Sequence, residues 1–95
     1  MQFLAISRMR TDIYTDADFA PFLEEEAQRA RTLYIEGYCR QIWYRGDTRG
    51  ACSLLEVESE EAARKLFESL PLVKAGMLEL THLIPLLPYR GFGPR

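Results

Sequence analysis

Two charged side chains interrupt apolar, strand-like runs: Glu79 within Leu78-Glu79-Leu80, and Arg40 within Tyr38-Cys39-Arg40-Gln41-Ile42. A carboxyl half-buried in such a run holds its proton more tightly than in water, which suits a general base. A guanidinium in mid-strand needs an acid such as Glu36 or Glu56, or an anionic ligand, because burying it alone is costly. Trp43, three residues on, offers a pocket wall or a packing surface at a core or interface. The lone histidine, His82, reads as a structural imidazole. Cys39 and Cys52 read as small buried hydrophobes and are too few for a disulfide scaffold or a zinc site. The run Glu24-Glu25-Glu26 reads as the solvated face of a helix.

Ninety-five residues make one domain, spanning 1–87 with an irregular tail over 88–95. The chain is 47% hydrophobic and 27% charged, the balance of an ordinary folded protein. Twelve Lys and Arg are scattered among fourteen acids, so there is no basic stripe for nucleic acid. No window approaches a membrane span. The apolar start Phe3-Leu4-Ala5-Ile6 is too short for a signal peptide. A cytoplasmic protein with a small-molecule partner is the expectation. A core this small gains from oligomerisation.

The elements that must position these groups follow from patterning. Residues 2–9 read as a strand. Thr15-Asp16-Ala17-Asp18 is a capping-box start. Phe19, Leu23, Ala27, Ala30, Leu33 and Tyr34 then form one helical stripe, and Gly37 stops the helix. Residues 38–45 and 51–57 read as a hairpin about the turn 46–50. Ser59 caps a second helix running to about Ser69, and Pro71 blocks its continuation. Residues 77–86 make the last strand. The order β-α-β-β-α-β is that of a ferredoxin-like α+β sandwich, a four-stranded antiparallel sheet with two helices on one face.

Centring the hairpin on Asp47-Thr48 places Tyr38, Arg40, Ile42 and Tyr44 on one face with Ser53 and Leu55. Cys39, Gln41, Trp43 and Arg45 fall on the other, with Cys52, Leu54 and Glu56. Arg40 and Trp43 therefore point to opposite sides. Both faces mix large apolar groups with polar ones, whereas a solvated sheet face is mostly polar. The second face is thus expected to be covered by another subunit, as in dimeric α/β barrels, with Trp43 at that interface.

From Glu36 to Leu83 the chain resembles the muconolactone isomerases. The resemblance is carried by Glu36-Gly37, Arg40, Trp43, Ser53, Glu56-Val57, Ser59, Glu61, Leu70-Pro71-Leu72 and Leu78-Glu79-Leu80. It implies a cofactor-free and metal-free enzyme of aromatic catabolism that moves a proton across an unsaturated lactone. It also implies a homodimer formed sheet to sheet, assembled into a larger ring. Such chemistry needs a base and a cation or donor facing the developing enolate, and an arginine if the substrate bears a carboxylate. On that reading Glu79 and Arg40 are the catalytic candidates, and Trp43, Arg45, Ser53, Arg8 and Glu36 contact substrate. The chain departs from the family pattern where Leu4, Ile6 and Thr48 replace polar residues, and in its tail. Two other readings stay open: a cofactor-independent monooxygenase or decarboxylase with a flat aromatic pocket, and a non-catalytic binding or assembly module in which Arg40 and Glu79 are locked together. The tail, carrying Tyr89 and Phe92, reads as disorder or as an arm closing a neighbour's pocket.

Overall fold

The computed structural model describes residues 1–91. Strand β1 (Gln2–Met9) runs into a loop that ends at Thr15. Thr15 accepts from the Asp18 amide at 3.3 Å while the Asp18 carboxylate accepts from the Thr15 amide at 2.8 Å, the expected capping box. The long helix expected behind it is broken at Pro21. Helix α1 (Asp16–Phe19) gives way to a 3-10 turn over Ala20–Phe22, and α2 (Leu23–Ile35) starts afresh. Proline has no N–H to donate, and its ring crowds the carbonyl four residues back.

Gly37 ends α2 with φ at 88°. The Tyr38 amide donates to the Leu33 carbonyl at 3.0 Å and the Gly37 amide to Tyr34 at 3.1 Å. That pair of bonds is a Schellman cap, and it requires the left-handed conformation that glycine adopts without a Cβ clash. Strands β2 (Cys39–Tyr44) and β3 (Ala51–Glu56) form the hairpin. Ser59 caps α3 (Glu60–Glu68) by accepting from the Ala62 amide at 3.1 Å. Pro71 does more than end α3: it occupies the first turn of a short helix, α4 (Pro71–Lys74), where a missing N–H costs nothing. Strand β4 (Leu78–Leu86) completes the sheet. Of the tail expected over 88–95, residues 88–91 are irregular and exposed, and 92–95 lie outside the described residues.

The sheet order is β2-β3-β1-β4, antiparallel throughout, the ferredoxin-like arrangement. Register defines its two faces. On the helix face one row reads Ile42, Ser53, Ala5, Leu83 and the next Cys39, Leu55, Phe3, Pro85. On the opposite, open face the rows read Trp43, Cys52, Ile6, His82 and Gln41, Leu54, Leu4, Ile84. The hairpin pairing expected from the turn holds from Gln41 to Tyr44. It fails at the start of β2, where the register slips between Cys39 and Gln41. Cys39 turns into the core beside Leu55, and Arg40 becomes the extra, exposed residue. A bulge of this kind lets a small apolar thiol bury itself while a guanidinium stays in water. The alternation that set Arg40 against Trp43 is lost there.

Two core clusters hold the layers together. One joins Phe3, Ala5, Leu55 and Cys39 to Leu33 of α2 and Ala63 of α3. The other packs Phe19 of α1 against Leu72 of α4 and Met77. Burial of each large side chain contributes roughly 1.5–3 kcal/mol relative to exposure. Gly50 joins the hairpin to β1: a Cβ there would lie 2.1 Å from the Ser7 carbonyl oxygen. Beside it the Ser7 hydroxyl donates to the Ala51 carbonyl at 3.3 Å and accepts from the Ala51 amide at 3.2 Å.

Candidate functional site

A cavity of 460 Å³ lies between the helices and the sheet, touching both core clusters. Its size falls within the range of roughly 300–1,000 Å³ typical of small-molecule sites. The floor is Ala5 and Ser7 of β1 with Ala51 and Ser53 of β3, and the roof includes Leu66 and Phe67 of α3. Exposed Leu23, Ile42 and Tyr44 form the mouth, where the N-terminal half of α2 faces the edge strand β2. The space exists because the apolar stripe of α2 carries alanine at positions 27 and 30, too small to reach the sheet. A wider concavity of 680 Å³ beside Met1 and Lys65 is shallow; of its two carboxylates, Glu56 is held by the N-terminal ammonium at 2.7 Å and Glu58 is exposed.

One carboxylate enters the apolar cavity: Glu26. The run Glu24-Glu25-Glu26 departs here from the expected solvated face: Glu24 and Glu25 are exposed, whereas Glu26 is half-buried. Helical phase separates them, since Glu26 stands three residues after Leu23 and seven before Leu33, in line with the buried stripe. Its Oε1 accepts from the Leu72 amide at 3.0 Å, at the N-terminus of α4. Burial pushes the Glu26 carboxyl above the ordinary carboxylate range, and the Leu72 hydrogen bond opposes this only in part. The bond engages one oxygen of the carboxyl, Oε1. Cys39, also on the wall, donates weakly to the Gln41 carbonyl at 3.6 Å, and burial raises its thiol, so it stays protonated.

The residues singled out from sequence are distributed differently. Ser53 alone among them lines the cavity, as a half-buried hydroxyl on its floor. Glu79 lies opposite Arg8 on the open face, where Arg8 Nε and NH2 both reach Glu79 Oε1 at 2.7 Å. Asp12 completes that cluster at 3.3 Å from Arg8. Arg45 forks onto Asp47 at 3.0 and 2.7 Å and donates to the Ser7 carbonyl at 3.3 Å. Trp43 is half exposed on the open face, Glu36 is exposed at the end of α2, and Arg40 is exposed in the bulge. Glu56 is lowered first by its bond to the N-terminal ammonium and only slightly by the charge of Arg40. His82 sits exposed on the open face, its Nδ1 3.1 Å from the Thr81 hydroxyl. Glu79 and Arg40 are not brought together.

The site therefore offers a desolvated carboxylate in an apolar chamber with a few hydroxyls, an arrangement suited to removing and returning a proton on carbon. Among the described residues no helix is long and apolar enough to cross a membrane. No curated protein matches the chain. The family model of muconolactone delta-isomerase matches residues 1–90 of the 95, almost the whole chain, and the chain belongs to that family.

Proposed function

We propose that this protein is a cofactor-free isomerase that shifts a C=C bond in a small unsaturated lactone or related carbonyl compound, with Glu26 as its base. The observation that carries the reading is the placement of Glu26: half-buried, held on one oxygen by Leu72, and facing an apolar cavity. Oε2 takes a proton from the ring carbon. That C–H bond breaks, and its electron pair passes into a dienolate ending on the carbonyl oxygen. The same carboxyl returns the proton to the far carbon, so nothing is oxidised and no co-reactant is consumed. Ser53 is the hydrogen-bond donor assigned to the enolate oxygen.

The other readings have less behind them. The wall is mainly aliphatic rather than a flat aromatic slot, which does not favour an aromatic monooxygenase. The cavity is open, and Glu79 is bound by Arg8 rather than by Arg40, which does not favour a filled, inert module. Family membership supports a place in aromatic catabolism, in the cytoplasm.

The open face carries the expected homodimer in this proposal. Leu4, Ile6, Leu54, Trp43 and Ile84 share that face, too apolar for a solvated sheet. Trp43→Glu should convert a dimer, or a larger ring, into smaller species by sedimentation; wild-type protein that is monomeric at micromolar concentration overturns this part. Glu26→Gln tests the base. Turnover followed by NMR in D2O should vanish while circular dichroism is unchanged, and full activity in that variant removes Glu26 from the mechanism.

A further inference from the structure

We infer that Ser7 is a second catalytic hydrogen-bond donor: its hydroxyl turns from Ala51 to the enolate oxygen and holds that oxygen together with Ser53. The inference rests on the isomerase reading above and adds a residue that stabilises the charge formed when the base acts.

Among the described residues Ser7 is the most deeply buried polar side chain, 3% exposed, and the space it faces is the cavity floor. Its role in the sheet follows from where a ladder ends. Strands β1 and β3 pair as far as Ile6 and Cys52. One residue further, the Ser7 side chain stands in for a backbone partner and engages both the amide and the carbonyl of Ala51. On its other flank, β4 carries Thr81 as an extra residue between the partners of Ile6 and Ser7, and the Thr81 hydroxyl donates to the Ile6 carbonyl at 2.9 Å. Bulges of this kind recur beside active sites. The Ser7 backbone is held in place. Its carbonyl accepts from the Arg45 guanidinium at 3.3 Å, and Gly50 lies against that carbonyl where a Cβ would clash.

The two Ala51 bonds differ in strength. The Ala51 amide donates to Ser7 Oγ at 3.2 Å, the outer end of the ordinary range of roughly 2.7–3.2 Å for N–H donors. The Ser7 hydroxyl reaches the Ala51 carbonyl only at 3.3 Å, beyond the roughly 2.5–3.0 Å usual for O–H donors. Its proton is thus weakly held by a neutral carbonyl, and a charged enolate oxygen is the stronger acceptor. Turning to it leaves the amide bond in place, and that bond polarises the O–H. Two fixed donors on one oxygen stabilise a developing oxyanion. No proton leaves Ser7, so the reaction remains the proton shift made by Glu26.

Ser7→Ala and Ser7→Cys test the assignment, the second keeping the packing with a weaker donor. Each is offered two ligands: tetronic acid, whose ionised enol mimics the dienolate, and γ-butyrolactone, which resembles the neutral substrate. Both variants should lose about tenfold or more in tetronate affinity by calorimetry while γ-butyrolactone binding is unchanged. In Ser7→Ala, turnover of a β,γ-unsaturated butenolide should fall roughly 10²-fold in kcat with KM within about twofold. Equal weakening of both ligands, or a raised KM at unchanged kcat, makes Ser7 a scaffold residue and overturns the inference. Unchanged tetronate affinity in either folded variant also overturns it, while leaving the isomerase reading in place. Wild type that neither isomerises the butenolide nor prefers tetronate over γ-butyrolactone removes that reading, and the inference with it.

Discussion

Two glutamates placed on opposite faces of one sheet show how surroundings decide what a side chain does. Glu79 stands on the open face against Arg8, its Oε1 accepting a hydrogen bond from Nε and making an ion-pair contact with NH2, both at 2.7 Å. Glu26 stands on the helix face, with a single backbone amide and aliphatic walls. The first carboxylate is tied to a guanidinium partner in an ion pair on the side of the sheet away from the cavity. The second is desolvated without a counter-charge, which raises its proton affinity and leaves an oxygen facing open space. Burial, not charge count, separates a structural acid from a candidate base.

The strongest test of that contrast is the pair Glu26→Gln and Glu79→Gln. General-base removal should lower kcat by roughly 10²–10⁴-fold in the first, whereas the second should change it by no more than a few-fold; comparable losses in both would dissolve the comparison. Next comes the seam between the faces. Gly50→Ala drives a methyl into the Ser7 carbonyl oxygen, and nothing there is a flexible side chain end. We expect a loss of about 2 kcal/mol or more, roughly 8–16 °C in melting midpoint by calorimetry. Ser59→Ala removes the cap of α3, which roofs the cavity, and should cost about 1 kcal/mol in denaturant unfolding with the open face untouched.

The smallest effect is the most diagnostic. The folded state holds the Glu26 proton more tightly than the unfolded chain does, so its penalty is absent below the unfolded carboxyl's pKa. That penalty grows as pH rises through the folded one. Glu26→Gln should therefore be more stable than wild type at neutral pH, with the gap closing in acid. By the same sign, activity should rise with pH through the Glu26 titration, and that limb should be missing from any residual activity of the variant. Equal pH–stability curves would show that the cavity does not desolvate Glu26.

Much of the fold was legible along the chain because its signals are local. The Thr15 capping box, the Gly37 stop, the Ser59 cap and the turn about Asp47-Thr48 each act through neighbouring backbone, and each stands where patterning put it. The apolar stripe from Phe19 to Tyr34 runs straight across Pro21, so its periodicity alone does not show the break that the proline makes there. The site was much less legible. Ser53 is the one candidate that reached the cavity, and Glu26 was hidden in a run of three acids although its helical phase marked it for burial.

The sequence by itself determined the order of the elements, their caps and the hairpin register from Gln41 to Tyr44. Only the tertiary structure decided that β2 slips at Cys39, that the helix side holds the chamber, and which acid is paired. The reason is distance along the chain. Glu26 meets its amide 46 residues away at Leu72, and Glu79 meets its guanidinium 71 residues away at Arg8. Solvation and pairing belong to those surroundings, and no local pattern encodes them.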